Sequence, residues 1–287
     1  MSSRISSAAA APGLVARYQE SYSNLPKVAW SVAAVVLIHN SGRMVSTFLA
    51  VYLFTALALS EQWIGIAVTA YGSGSVLGSL AGGWLTSRFR PKRIILASLF
   101  SLGAGYLCLS LLRDPAAFTL LLFTGAIFDG MLRPAIMLVL MDAAEPQDRP
   151  RCYALYQTAL NLGYAFGAIA GGVLAEIHFP AIFWVNGAAS ILAGFVLIFV
   201  MPPGVLMAVR TSETAGPAAK HLGRNWPLLT LCCVGFLYYC VSYQRLSIYP
   251  LYLTTDYGLL PSEFGSLLMF NGLLTVAGGV LITDRLK

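Results

Sequence analysis

The chain has 287 residues and a formal net charge of +6, with charged residues at 10% and apolar residues at 57% of the sequence. Soluble domains run at roughly 25% charged and 45–50% apolar, so a water-soluble globular enzyme is excluded and a polytopic membrane protein is indicated. The excess of cations does not gather on one basic face, which argues against a nucleic-acid partner; it falls in the links between apolar stretches.

Residues 1–27 are small and polar with Arg4, Arg17 and Lys27, and read as a cytoplasmic amino-terminal tail. The apolar run that follows is too long for the core of a cleaved leader. A helix needs about 20 mainly apolar residues to cross the hydrocarbon core. Eight segments meet that length, near 28–56, 62–85, 94–112, 116–141, 152–176, 180–201, 227–254 and 264–283. With the amino terminus inside, Arg4, Arg17, Lys27, Arg88, Arg90, Lys92, Arg93, Arg149, Arg151, Arg210, Lys220, Arg224, Arg285 and Lys287 all lie in cytoplasmic segments, against Arg113 alone in an outer loop. That asymmetry sets the orientation and places both termini in the cytoplasm.

The second and third spans are joined by Gly83-Trp84-Leu85-Thr86-Ser87-Arg88-Phe89-Arg90-Pro91-Lys92-Arg93. This loop resembles the one between the second and third helices of major facilitator superfamily transporters, whose pattern is G-x-L-x-D-R-x-G-R-K. Gly83, Leu85, Arg88 and Lys92 fit it; Ser87 stands where the family has an acid. Leu132-Arg133-Pro134-Ala135, then Met141 through Arg149, then Asn161-Leu162-Gly163 resemble that family's R-P-A … A-D-x-x-P-x-x-x-R … N-L-G series. The resemblance implies an all-α membrane protein of two parallel helical bundles.

Residues 203–226, from Pro203 to Trp226, form the longest polar stretch after the tail and read as a cytoplasmic linker. Six spans (28–202) precede it as an amino-terminal bundle, and 227–287 supplies the first two helices of a second one. An internal echo at a spacing near 200 residues supports the division: Tyr52-Leu53 returns as Tyr252-Leu253, Ser60-Glu61 as Ser262-Glu263, and Ala81-Gly82-Gly83 as Ala277-Gly278-Gly279. Against the twelve-helix plan implied by the resemblance, four helices are expected to be missing from this sequence.

Two spans carry small residues four apart: Gly74, Gly78 and Gly82 in the second, Gly163, Gly167, Gly171 and then Gly172 in the fifth. Such faces let backbones approach closely. Gly167-Ala168-Ile169-Ala170-Gly171-Gly172 resembles the G-P-x-x-G-G pattern of the drug–proton antiporter branch, with Ala168 in place of Pro. By that resemblance the fifth span packs on the eighth, and the second is expected to lack its partner, the eleventh. Cys108, Cys152, Cys232, Cys233 and Cys240 show no metal-ligand spacing and read as small packing residues.

A charge at mid-bilayer costs at least about 2.5–3.5 kcal/mol on insertion scales. The spans hold Arg43 with His39 alongside, Asp129 with Arg133, and Arg245. Asp129 and Arg133 are four apart and able to pair on one helix face; His39 and Arg43 have the same spacing. Asp129 and Arg133 either neutralise each other and fix packing, or Asp129 takes up a proton when a conformational change separates the two. Gln157 and Asn161, with Tyr156 and Tyr164, add polar groups to the fifth span; Tyr238, Tyr239, Tyr243, Tyr249, Tyr252 and Gln244 crowd the seventh.

No H-E-x-x-H or G-x-S-x-G pattern supports an intramembrane enzyme, and no phosphate-binding loop or cofactor motif is present. The reading is a secondary transporter in a bacterial inner membrane, moving a small molecule, with protons as the expected coupling ion and efflux as the expected direction. The alternative is a non-transporting remnant or scaffold of the same family. The lipid bilayer is its other partner.

Overall fold

The structure, a computed structural model, describes Tyr22 and residues 25–201, 226–242, 244 and 248–285. Most of the tail and of the linker lies outside the described residues. The helices are α1 (Lys27–Ser41), α2 (Val45–Thr55), α3 (Glu61–Thr86), α4 (Pro91–Leu109), α5 (Pro115–Ala143), α6 (Arg149–His178), α7 (Ala181–Val200), α8 (Trp226–Ser242), α9 (Ile248–Thr255) and α10 (Pro261–Arg285). No strand occurs among the described residues. Six spans, α1 with α2 and then α3 to α7, are long and apolar enough to cross a membrane.

Helix starts follow simple chemistry. Proline opens α4 and α5, where its missing N–H costs nothing, and Asp114 caps α5 by accepting from the Ala117 N–H at 2.7 Å. The first span breaks at Gly42-Arg43-Met44. Just before the break, Asn40 and Ser41 turn their side chains back to the carbonyls of Val36 and Leu37, both at 2.8 Å. Just after it, the Val45 N–H at the start of α2 finds the Asn186 Oδ1 of α7 at 3.3 Å. Gly42 lies so close to Ala189 that a side chain would collide with it.

The glycine seams have partners other than those expected. Gly74, Gly78 and Gly82 of α3 lie against Phe123, Ile127 and Met131 of α5, within the same bundle. The expectation that this face lacks a partner is thus corrected: small residues meet the backbone of the neighbouring helix, and Gly130 of α5 returns the contact to Ser75 and Gly78. Gly163, Gly167 and Gly171 of α6 face the broken first span, meeting Leu37, Asn40, Ser41, Met44 and Phe48. The pairing of α6 with α10 is present, but it is made by the adjoining face. There Gly172 meets Pro261 and Ser262, and Gly265 and Gly272 meet Ala168, Ala165 and Asn161. Glu176 Oε1 closes one end of this contact by accepting from the Ser262 N–H at 2.8 Å.

The core sits among α1 to α7. Tyr52, Phe118 and Phe183 are fully buried and stack around one another, with Tyr52 and Phe183 ring centroids 4.8 Å apart. Arg113 donates to the Tyr52 hydroxyl at 3.3 Å. Among the cysteines only Cys152 packs in this core; Cys108, Cys232, Cys233 and Cys240 are exposed, correcting their reading as packing residues. Their helices turn those positions outward, three of them on α8, which buries no residue.

Candidate functional site

A cavity of about 330 Å³ opens where α1 breaks, lined from α1, α3, α4, α5, α6 and α8. The break is halfway along the first span, and Asp129 is halfway along α5. Non-helical backbone at that depth is tolerated where it lines a cavity.

Asp129 is buried and is the hub of a polar network. Its Oδ2 accepts from Arg43 Nη2 at 2.6 Å and from the Tyr71 hydroxyl at 3.1 Å, and Arg43 also reaches Tyr71 at 3.3 Å. Its Oδ1 faces His39 Nε2 at 3.7 Å. Thus the break in the first span, α1, α3 and α5 all converge on one carboxylate. The arrangement resolves the charge problem of the spans: a buried anion and cation pair directly, with a hydroxyl completing the anion's bonds.

The pairing of Asp129 with Arg133 expected from their spacing is corrected. The carboxylate is held by Arg43 from another helix, while Arg133 faces the tyrosines of α6 and α8, bonding Tyr239 and lying near Tyr156 and Tyr153. Helical spacing permits the first pairing, but Asp129 points into the bundle and Arg133 lies exposed on the cavity side. Arg43, His39, Asp129 and Arg133 all line the cavity, as do Tyr156 and Tyr239. Gln157 and Asn161 do not; Asn161 donates to the Gln157 carbonyl at 2.9 Å and lies where α6 meets Gly272. Arg245 and Tyr243 lie outside the described residues. In the basic loop, Arg88 stacks over the Trp84 ring at 4.0 Å, Lys92 and Leu85 are half-buried, and Gly83 faces open space.

Three residues of the network escape a reading by charge alone. Tyr71 sits in the apolar run of α3, and its hydroxyl needed a partner at that depth. Asn186 and Ser190 are fully buried in the most apolar span; their i,i+4 spacing was the signal. Ser190 donates to the Asn186 carbonyl at 2.9 Å and meets His39 Nδ1 at 3.2 Å.

A family model of the Major Facilitator Superfamily matches residues 32–287. The uncharacterized MFS-type transporter YqjV of Bacillus subtilis is 23% identical over 89% of this chain and 64% of its own length. The 3-(3-hydroxy-phenyl)propionate transporter of Escherichia coli is 27% identical over 80% of this chain and 57% of its own length. The chain therefore spans less than two thirds of the length of these relatives. Among solved structures, a bacterial homologue of the human lysosomal transporter Spinster, inward-facing and unoccupied, is similar at a TM-score of 0.68 and 17% identity. That match covers 83% of this chain and 57% of the other, and shows the fold.

Proposed function

Because this multi-pass membrane chain belongs to the Major Facilitator Superfamily, we propose that it is a secondary active transporter that exports a small molecule in exchange for protons by alternating access. Both termini face the cytoplasm, and the membrane is a bacterial inner one. The observation that carries this reading is the Asp129–Arg43 pair, seated in a cavity at the break of the first span. A buried pair that lines an open cavity can be separated by a proton or by a charged ligand, which gives each a way to act on the other.

Two further features support it. The α6–α10 contact runs from Gly172 and Pro261 to Asn161 and Gly272. It joins a helix of the first bundle to one beyond the linker, the kind of contact about which rocking bundles move. The Gly167 to Gly172 pattern supports export by its resemblance to the antiporter branch.

The cavity also favours a class of cargo. Arg43 is matched by Asp129, while Arg133 faces hydroxyls, so an anionic or zwitterionic group suits the remaining cation. The Escherichia coli relative is named for a carboxylic acid, in keeping with this.

The test is flux in proteoliposomes holding the full chain, with an imposed pH gradient and labelled 3-phenylpropionate and ethidium as anionic and cationic probes. Gradient-driven flux of the anion, reduced at least tenfold in Asp129→Asn, is expected. Absence of any gradient-driven flux would favour the non-transporting scaffold, and an unchanged rate in Asp129→Asn would remove the carboxylate from the mechanism.

A further inference from the structure

The hydrogen bonds around His39 bear on where its protons sit. Ser190 has one hydroxyl proton, and it is directed at the Asn186 carbonyl, 2.9 Å away. With that proton so placed, the Ser190 oxygen accepts from His39 Nδ1 at 3.2 Å, and the neutral tautomer in keeping with this has its proton on Nδ1 and Nε2 bare. Nε2 is buried without a hydrogen-bond partner, in a residue 7% exposed. It faces Asp129 Oδ1 at 3.7 Å. A lone pair against a carboxylate oxygen gains nothing in a poorly solvated site; a proton placed between them turns the contact into a charge-assisted hydrogen bond.

The carboxylate is divided in a way that makes this consequential. Oδ2 is taken by Arg43 and Tyr71, and Oδ1 faces His39. The groups around the ring are Asp129 on α5, Arg43 in the break, Ser190 and Asn186 on α7, Tyr71 on α3, Tyr106 on α4, and Tyr156 on α6 with Arg133 beyond it. Asp129 is the only anion among them, so it supplies the one full negative charge that can stabilise a cationic ring.

We propose that His39 Nε2 is the proton-loading site of the cavity, and that loading it gives Asp129 a second cationic partner and releases Arg43 toward an anionic ligand group. One proton adds to Nε2 and the neutral ring becomes an imidazolium with both nitrogens donating; no other bond changes. Asp129 stays a carboxylate throughout and acts as the balance between two cations. The physiological meaning of the proton rests on the transporter reading, but the site itself does not.

The experiment is ¹⁵N NMR of the full chain, histidine-labelled, in nanodiscs, with His39 told apart from His178 and His221 by the His39→Gln variant. At the alkaline end of the range ~pH 5 to 8, where histidines titrate, the ring is expected in the Nδ1–H form, gaining its second proton on acidification. Ser190→Ala should mix the two neutral forms, which a merely space-filling role of His39 would not produce. A neutral ring protonated on Nε2, or one that keeps a single proton across that range, overturns the proposal.

In the same vesicles as above, His39→Gln should cut both gradient-driven flux and counterflow of 3-phenylpropionate at least tenfold, because Arg43 then stays on Asp129; an unchanged rate in both modes also overturns it. Vesicles that carry no probe in either mode, with a ring that titrates as described, would retire the transporter reading and uphold the proton site.

Discussion

The bundle of α1 to α7 and the helix α8 are both apolar enough for lipid, yet they differ in what they bury. The bundle encloses a continuous core from Val28 to Leu197, whereas α8 buries no residue and leaves Phe236, Leu237 and Tyr238 about two thirds exposed. Apolarity is shared, so it is not what holds the bundle together. Lipid is as apolar as leucine and gives no hydrophobic reason for helices to meet. The bundle has what α8 lacks: glycines at helical spacing that admit a neighbouring backbone, and buried polar groups that find one another across helices.

This contrast can be broken by mutation. The largest expected effect is from Arg43→Ala, which leaves Asp129 buried without its cation. The loss is about 3 kcal/mol, the low end of the range for breaking a buried pair, because the Arg43 side chain is itself 33% exposed. A thermal melt of the purified chain in detergent measures it. Gly78→Leu should come next, costing about 1–3 kcal/mol by overpacking, since its side chain would enter the Ile127 backbone. The matched change Gly235→Leu in α8, where nothing lies within 4 Å, should stay within about 0.5 kcal/mol. Equal effects at Gly78 and Gly235 would erase the distinction between the two regions.

The span limits were legible because length and apolarity are local properties of the chain. The six segments of the first bundle agree with the helices to within a few residues. Of the seventh, α8 and α9 are described, and residues 243 and 245–247 between them lie outside the described residues. The break in the first span was only partly legible: His39-Asn40-Ser41-Gly42-Arg43 interrupts the apolar run, but Gly42 is also set by crowding against Ala189 on a distant segment.

Asp129, Arg43, His39 and Arg133 stood out as charges or titratable groups inside spans, and all four reach one cavity. Which of them pair was not legible. Helical spacing relates Asp129 to Arg133, but the partner it finds is 86 residues away, and only helix packing brings the two together. The seams teach the same lesson: periodicity shows that Gly74, Gly78 and Gly82 form a face, and nothing in that period says which helix will cover it.

The most direct test of the account is a pair of double-mutant cycles, Arg43 with Asp129 and Arg133 with Asp129, each scored by melting and by gradient-driven flux. If the carboxylate is shared between the broken helix and α5 as described, the first pair couples by about 1 kcal/mol or more, within the range for residues in one network, and the second adds to within about 0.5 kcal/mol. Strong coupling of Arg133 to Asp129, with Arg43 additive, would contradict the network at its centre.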